Sequence, residues 1–352
     1  MTSWSSGSGR ATVTYMPERS TMSDVAALAG VSRKTVSRVV NREAGVSEDL
    51  VRRIERASMQ LGYRHNLAAS NLRRGQRTLS VALLVQDLSN DYSAAVLRSI
   101  DDAVRDRGVV VLSASLDEEE VRERELVANL IARRVDGLIL MPASRSQQYL
   151  QPDVAAGFAV VTIDRPPSHL AADSVVVDNI GGAREATAHL LARGHTRIAL
   201  VTDELTIRTA RDRAEGFGAA MKTAGIAVDP SLTRTARTVQ AARLAVSALL
   251  SSADPPTAIF AARNTATVGA AITLKELGVQ NTVALVGFDE LRLADLVDPG
   301  ITNVEQNPGQ IGAEAARLLL ARLDGSAGPP QALVLPTSLH PRGSGEIRPP
   351  IR

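Results

Sequence analysis

From Leu79 onward the chain alternates between short apolar runs and amphipathic stretches, and this alternation leaves few folds open. The runs are "SVALLVQ", "VVVLSAS", "GLILMP", "AVVTID", "SVVVDN", "RIALVT", "TAIFAA" and "VALVGFD". Between them, residues 118–133, 183–193, 213–224, 240–251 and 265–277 carry apolar side chains at helical spacing. A strand that is apolar at every position must be covered on both faces. Parallel sheets with crossover helices meet that condition. Roughly 270 residues of such a pattern exceed one comfortable doubly wound unit, so two are expected.

The 352 residues contain no cysteine, which removes disulfides, thiolate metal sites and cysteine nucleophiles. Five histidines (His65, His169, His189, His195, His340) show no ligand spacing, and no Gly-rich phosphate fingerprint follows a strand. No metal, cofactor or enzymatic activity is therefore expected. No apolar run reaches the length of a membrane span, and the opening residues lack the apolar core of a signal peptide. A cytoplasmic protein is expected, with residues 1–20 as a disordered arm.

The charge is uneven. From Met22 to Gln76, ten Lys and Arg face five Asp and Glu, whereas the whole chain carries only +2. A basic head on a mildly acidic body suits a polyanion partner. Within that head, "SDVAALAGVSRKTVSRVVN" reads as two short helices about a glycine turn. Ser23 is placed to cap the first and Gly30 to end it; Ser32 caps the second. A third helix follows Ser47, with Leu50, Val51, Ile54, Ala57 and Leu61 as its buried stripe and Gly62 at its end. This is a helix-turn-helix pattern, whose second helix can enter the DNA major groove. A helical bundle with a charged surface would read the same by spacing alone. "NLAASNLRRGQRT" is too short to persist as a lone helix in water.

The pattern DVA-x-x-AGVS-x-x-TVSRV-x-N, followed by "VSEDLVRRIERASMQLGYRHNLAASNLRRGQ", resembles the lac repressor (LacI/GalR) family of bacterial transcription regulators. The resemblance implies operator readers at Arg33, Lys34 and Arg38, and phosphate contacts from Thr35, Ser37 and Asn41. It also implies that 66–78, where Asn66 can cap a short helix and Ala68 and Ala69 permit close approach, is a hinge helix with Leu72 wedging the central base step. The expected boundaries are 21–65 for the DNA-binding head, 79–342 for an effector-binding and dimerisation body, and 343–352 for a tail.

The resemblance runs on to about Arg342. It implies a body like that of periplasmic sugar-binding proteins, with two parallel-sheet subdomains crossed three times by the chain. The expected crossings are 179–182, 300–303 and 324–331. Subdomain 1 is then about 79–177 plus 304–323, and subdomain 2 about 182–299 plus 331–342. Ligands in such folds bind beyond the carboxyl ends of strands. Asp87, Asn90 and Tyr92 follow the first run. Asp164, Arg213, Asn264 and Asp289 match the family's effector contacts. Arg263 departs from the family pattern and leaves room for an acidic sugar or a sugar phosphate. Helix capping is the competing fate for the acids on these loops. The tail has no heptads, so a dimer is expected, together with a near-palindromic operator and a small-molecule effector of carbohydrate type. A transport protein of the periplasmic type is the alternative class.

Overall fold

The computed structural model describes residues 20–41, 43, 45–64 and 77–351. The polypeptide divides between Thr78 and Leu79 into two compact units.

The first unit contains α1 (Met22–Ala29), α2 (Arg33–Val40) and α3 (Glu48–Gln60). Thr21, not Ser23, caps α1. Its Oγ1 accepts from Asp24 N at 3.3 Å while its own N–H donates to Asp24 Oδ2 at 2.7 Å. This reciprocal box satisfies two backbone donors and outcompetes a cap two residues later. Gly30 ends the helix at φ +62°, a conformation that costs side-chain-bearing residues energy. Ser32 Oγ accepts from Thr35 N at 3.1 Å, as its position predicts. Ser47 stands at the cap position of α3 but makes no capping side-chain hydrogen bond among the described residues. The core is Val25, Ala26, Ala29, Val36, Ile54 and Ala57; Leu28 faces outward. The arm lies outside the described residues except for Ser20, whose hydroxyl donates to Leu61 O at 2.7 Å. Ser20 thus belongs to the head.

The second unit runs β1 (Ser80–Val85), α4 (Asp91–Arg105), β2 (Val110–Ser115), α5 (Glu120–Ala132), β3 (Gly137–Leu140), α6 (Gln151–Ala155), β4 (Ala159–Ile163), β5 (Asp173–Val177), α7 (Asn179–Ala192), β6 (Ile198–Thr202), α8 (Arg208–Thr223), β7 (Thr233–Thr235), α9 (Val239–Leu250), β8 (Ala258–Ala261), α10 (Asn264–Glu276), β9 (Ala284–Phe288), β10 (Thr302–Glu305), α11 (Pro308–Leu323), β11 (Ala332–Leu335), β12 (Ser338–His340) and α12 (Gly343–Glu346). Two six-stranded sheets result, ordered β11-β5-β4-β3-β1-β2 and β12-β10-β9-β8-β6-β7. Every pairing is parallel except β10 with β12. Alternate residues of β1 enter different cores. Val81, Leu83 and Val85 pack against α4 and α11, and Ala82 and Leu84 face the α5 side. In the second sheet α7 and α8 cover one face, and α9 and α10 the other.

Three expected boundaries are corrected. Thr302–Glu305 pairs with β9 and β12 and so belongs to the second sheet; the second crossing lies between Glu305 and Pro308. Ala332–Leu335 pairs with β5 and closes the edge of the first sheet, not the second; the third crossing lies between Leu335 and Ser338. The polar strand "TNVE" gives no apolar run, and pairing partners are non-local, so neither assignment is visible in local pattern. The tail, set outside the body by sequence, is bonded into it. Ser344 Oγ donates to Leu285 O at 2.6 Å and accepts from Thr302 N at 2.9 Å. His195 Nε2 and Ile347 O lie 2.8 Å apart.

Asp173 ties the first sheet's edge to α11. Burial raises its proton affinity, but Arg322 at 2.7 and 2.8 Å and Gln331 N at 2.7 Å outweigh burial and hold its pKa below the ordinary value. A depressed folded pKa stabilises above the unfolded value of about 3.9. That stability is lost as pH falls through the lower folded value. Asp173→Asn should therefore lower the melting temperature at neutral pH and flatten its acid decline. A variant whose acid limb matches the wild type would show that the pair contributes nothing.

Candidate ligand cleft and candidate nucleic-acid interface

Between the two sheets lies a cleft into which strand ends project. Gln86, Met141 and Asp164 follow β1, β3 and β4. Asp203, Ala262 and Asp289 follow β6, β8 and β9, and Gln306 follows β10. The inner chamber holds only about 60 Å³.

Asp164 (φ +65°) and Asp289 (φ +73°) both occupy the left-handed region. Such strain costs about 1–3 kcal/mol per residue and concentrates at functional sites. Asp289 Oδ2 accepts from Asn264 N at 3.1 Å, and Oδ1 accepts from Gln306 Nε2. Arg213 NH2 stands 3.8 Å from Asp289. Its guanidinium is held by Nε donating to Asn179 Oδ1 at 2.7 Å and NH1 to Ala262 O at 2.8 Å, and it lies 3.8 Å over the Phe288 ring. Burial, outweighing Arg165 and Arg213, raises the Asp164 pKa. Burial, followed by Asp164 and Asp289, pushes the Tyr92 hydroxyl well above its ordinary value. Asn264 Nδ2 donates to Asn90 Oδ1 at 2.8 Å, joining the two subdomains across the cleft. Two buried polar atoms facing the cleft, Tyr92 Oη and Gln306 Oε1, have no partner among the described residues.

Six of the seven cleft residues expected from sequence meet here: Asn90, Tyr92, Asp164, Arg213, Asn264 and Asp289. Asp87 does not. Its carboxylate is occupied by the backbone and hydroxyl of Ser89, each at 2.8 Å. It does not line the cleft; its bonds close a turn onto Ser89, and Asn90 is the residue that caps α4. Sequence reasoning missed three others, Arg165, Asp203 and Gln306, and noted Arg263 only as a departure from the family pattern. Arg165 donates to Glu118 at 2.5 and 2.8 Å and to Pro142 O at 2.7 Å. Asp203 and Arg263 form an ion pair inside the cleft. Asp203 directly follows β6, so the strand-end rule would have found it. Gln306 follows the strand that local pattern hid.

In the head, Arg33 and Lys34 are exposed on the first turn of α2 and form no ion pair among the described residues. Arg38 Nε lies 3.6 Å from Glu43. Thr35 Oγ1 is 2.8 Å from Ser32 Oγ, and Asn41 Nδ2 donates to Ser37 O at 2.6 Å. These polar groups are fixed on one short helix whose N-terminus favours anions. Asn66, Ala69 and Leu72 lie outside the described residues.

Residues 21–66 match the family model for bacterial regulatory proteins of the lacI family, and residues 187–345 match the periplasmic binding protein-like domain. The chain is 35% identical over 336 residues to the HTH-type transcriptional regulator PtxS of Pseudomonas aeruginosa, covering 94% of this chain and 97% of that one. The solved complex of the transcriptional regulator CelR with cellobiose is similar at a TM-score of 0.68 and 32% identity, over 93% of this chain and 100% of that one. The lac repressor dimer bound to operator and the anti-inducer ONPF is similar at a TM-score of 0.79 and 26% identity, over 93% and 99% of the two chains. A capped helix-turn-helix joined to a two-sheet body with a polar cleft, and near-full-length identity to such regulators, place this chain in the lacI family of bacterial transcriptional regulators.

Proposed function

We propose that the protein is a non-enzymatic, cytoplasmic repressor. It binds a near-palindromic operator as a homodimer and is switched by a polyhydroxylated small molecule in the cleft. The observation that carries this reading is the pair of buried polar atoms without a partner among the described residues, Tyr92 Oη and Gln306 Oε1, beside the acids Asp164 and Asp289. Buried polar atoms are rarely left unsatisfied, and a ligand rich in hydroxyls supplies both donor and acceptor to them. The cleft belongs to both sheets, so a ligand that bonds across it favours one angle between them. A coupling of about 1–3 kcal/mol to the operator-competent state changes affinity 5- to 150-fold.

Apolar side chains left exposed on the body suit a second copy of the chain. Val110 and Leu112 stand on the edge strand β2, and Leu293, Leu296 and Val297 follow β9. A two-fold dimer presents two heads, and hence two half-sites. A periplasmic-type transport role leaves the exposed Arg33 and Lys34 of the head without a task.

The test is operator binding to the DNA upstream of the gene, followed by fluorescence anisotropy with and without metabolite pools. Sequence-selective binding relieved or enhanced by one pool is expected; shifts that any DNA competes away equally would refute the reading. Within this frame Arg33→Ala or Lys34→Ala should change the preferred base at one operator position. The expected discrimination lost is about 1–3 kcal/mol. Uniform weakening across all sequences would assign these side chains to phosphates instead.

A further inference from the structure

The inner chamber opens outward. Arg165 and Ile207 line both it and a basin of about 1,040 Å³ at the mouth of the cleft. The chamber is charge-balanced, since Arg165 is held by Glu118, Arg213 faces Asp289 and Arg263 pairs with Asp203. The basin is not. Arg145, in the loop after β3, and Arg211, in the first turn of α8, are exposed and form no ion pair among the described residues. Arg237, after β7, has Nε 3.8 Å from Asp203, whose carboxylate is already engaged by Arg263. Facing these three cations, Glu204 is the one acid of the basin with no basic partner among the described residues. Small-molecule sites are lined mainly by apolar and aromatic side chains, with a few placed polar groups. Among the described residues, Tyr92 is the one aromatic side chain lining either chamber or basin.

Building on the reading of the cleft as a polyol site, we propose that its ligand is an anionic sugar derivative. Its hydroxyls meet Asp164, Asn264 and Asp289, and its carboxylate or phosphate is held at the mouth by Arg145, Arg211 and Arg237. Arginine suits either group because its planar fork presents two parallel donors to paired oxygens. Arg145 comes from the first subdomain and the other two from the second. An anion between them replaces cation–cation repulsion across the mouth with attraction from both sides. That attraction depends on the angle between the sheets, which is the differential affinity a switch requires.

The experiment titrates the full chain, at constant ionic strength, with a panel of neutral aldoses and the matching aldonates, uronates and hexose phosphates. Thermal shift and calorimetry are the readouts. Hits are expected among the anionic members. The Arg145→Gln/Arg211→Gln double variant should bind those hits about tenfold or more weakly, while its melting temperature without ligand reports that it folds. Tighter or equal binding of a neutral aldose overturns the inference and leaves the polyol reading standing. So does anion affinity untouched by the double substitution. A panel without any hit overturns both. Carboxylate hits against phosphate hits decide which anion the mouth accepts.

Discussion

Asp289→Asn should leave operator occupancy unchanged at effector concentrations that release, or recruit, the wild type. The substitution isolates the charge. Asn tolerates the left-handed backbone at φ +73° about as well as Asp, so the turn after β9 is kept. What changes is the acceptor. The carboxylate that faces Arg213 and takes hydrogen bonds from Asn264 N and Gln306 becomes a neutral amide. A hydrogen bond to a charged group contributes about 1.5–3 kcal/mol, so effector affinity should fall about ten- to a hundredfold. Calorimetry measures that loss, and anisotropy with labelled operator measures the lost response. A variant that still responds at wild-type effector concentrations would remove Asp289 from the ligand site.

Gly216→Val should lower the melting temperature by about 5–10 °C, whereas Gly218→Ala, one position beyond its neighbour on the same helix, should raise it slightly. A side chain on Gly216 would overlap the Ile180 carbonyl and come within 2.9 Å of Ala183 Cβ. Both belong to α7, and a backbone carbonyl cannot turn aside, so α7 and α8 must separate. A Cβ on Gly218 meets nothing within 4 Å, and alanine there gains about 0.5–1 kcal/mol of helix propensity. The close approach also serves the cleft. Asn179, the first residue of α7, orients Arg213 on α8. Weakened ligand binding should therefore accompany the loss of stability. Equal melting temperatures for the two variants would contradict this account.

Local signals made much of the fold legible. Glycine turns, the serine cap on α2 and apolar periodicity located the head helices. Continuous apolar runs located eight of the body's strands. Ser23 misled because a box from Thr21 to Asp24 satisfies more donors, which a one-residue cap rule cannot weigh. The subdomain edges misled because β10 is polar and β11 is an edge strand, and both take their sheet from partners far away in sequence. In the cleft, the family resemblance supplied Asp164, Arg213, Asn264 and Asp289, and the strand-end rule found Asn90 and Tyr92. It also included Asp87, whose exposed carboxylate a nearby serine satisfies. Arg165 and Asp203 show their importance only through ion pairs with residues distant in sequence, Arg165 with Glu118 and Asp203 with Arg263, each pair within one subdomain.

The way residues 343–347 are stitched to the second sheet bears on genetics. Ser344 bridges β9 and β10, the two strands that deliver Asp289 and Gln306 to the cleft. A nonsense codon at position 343 would spare almost every folded element, yet it would unpin the strands that carry the sensing acid. Late truncations should therefore behave as signalling mutants, indifferent to metabolite, and not as harmless trims.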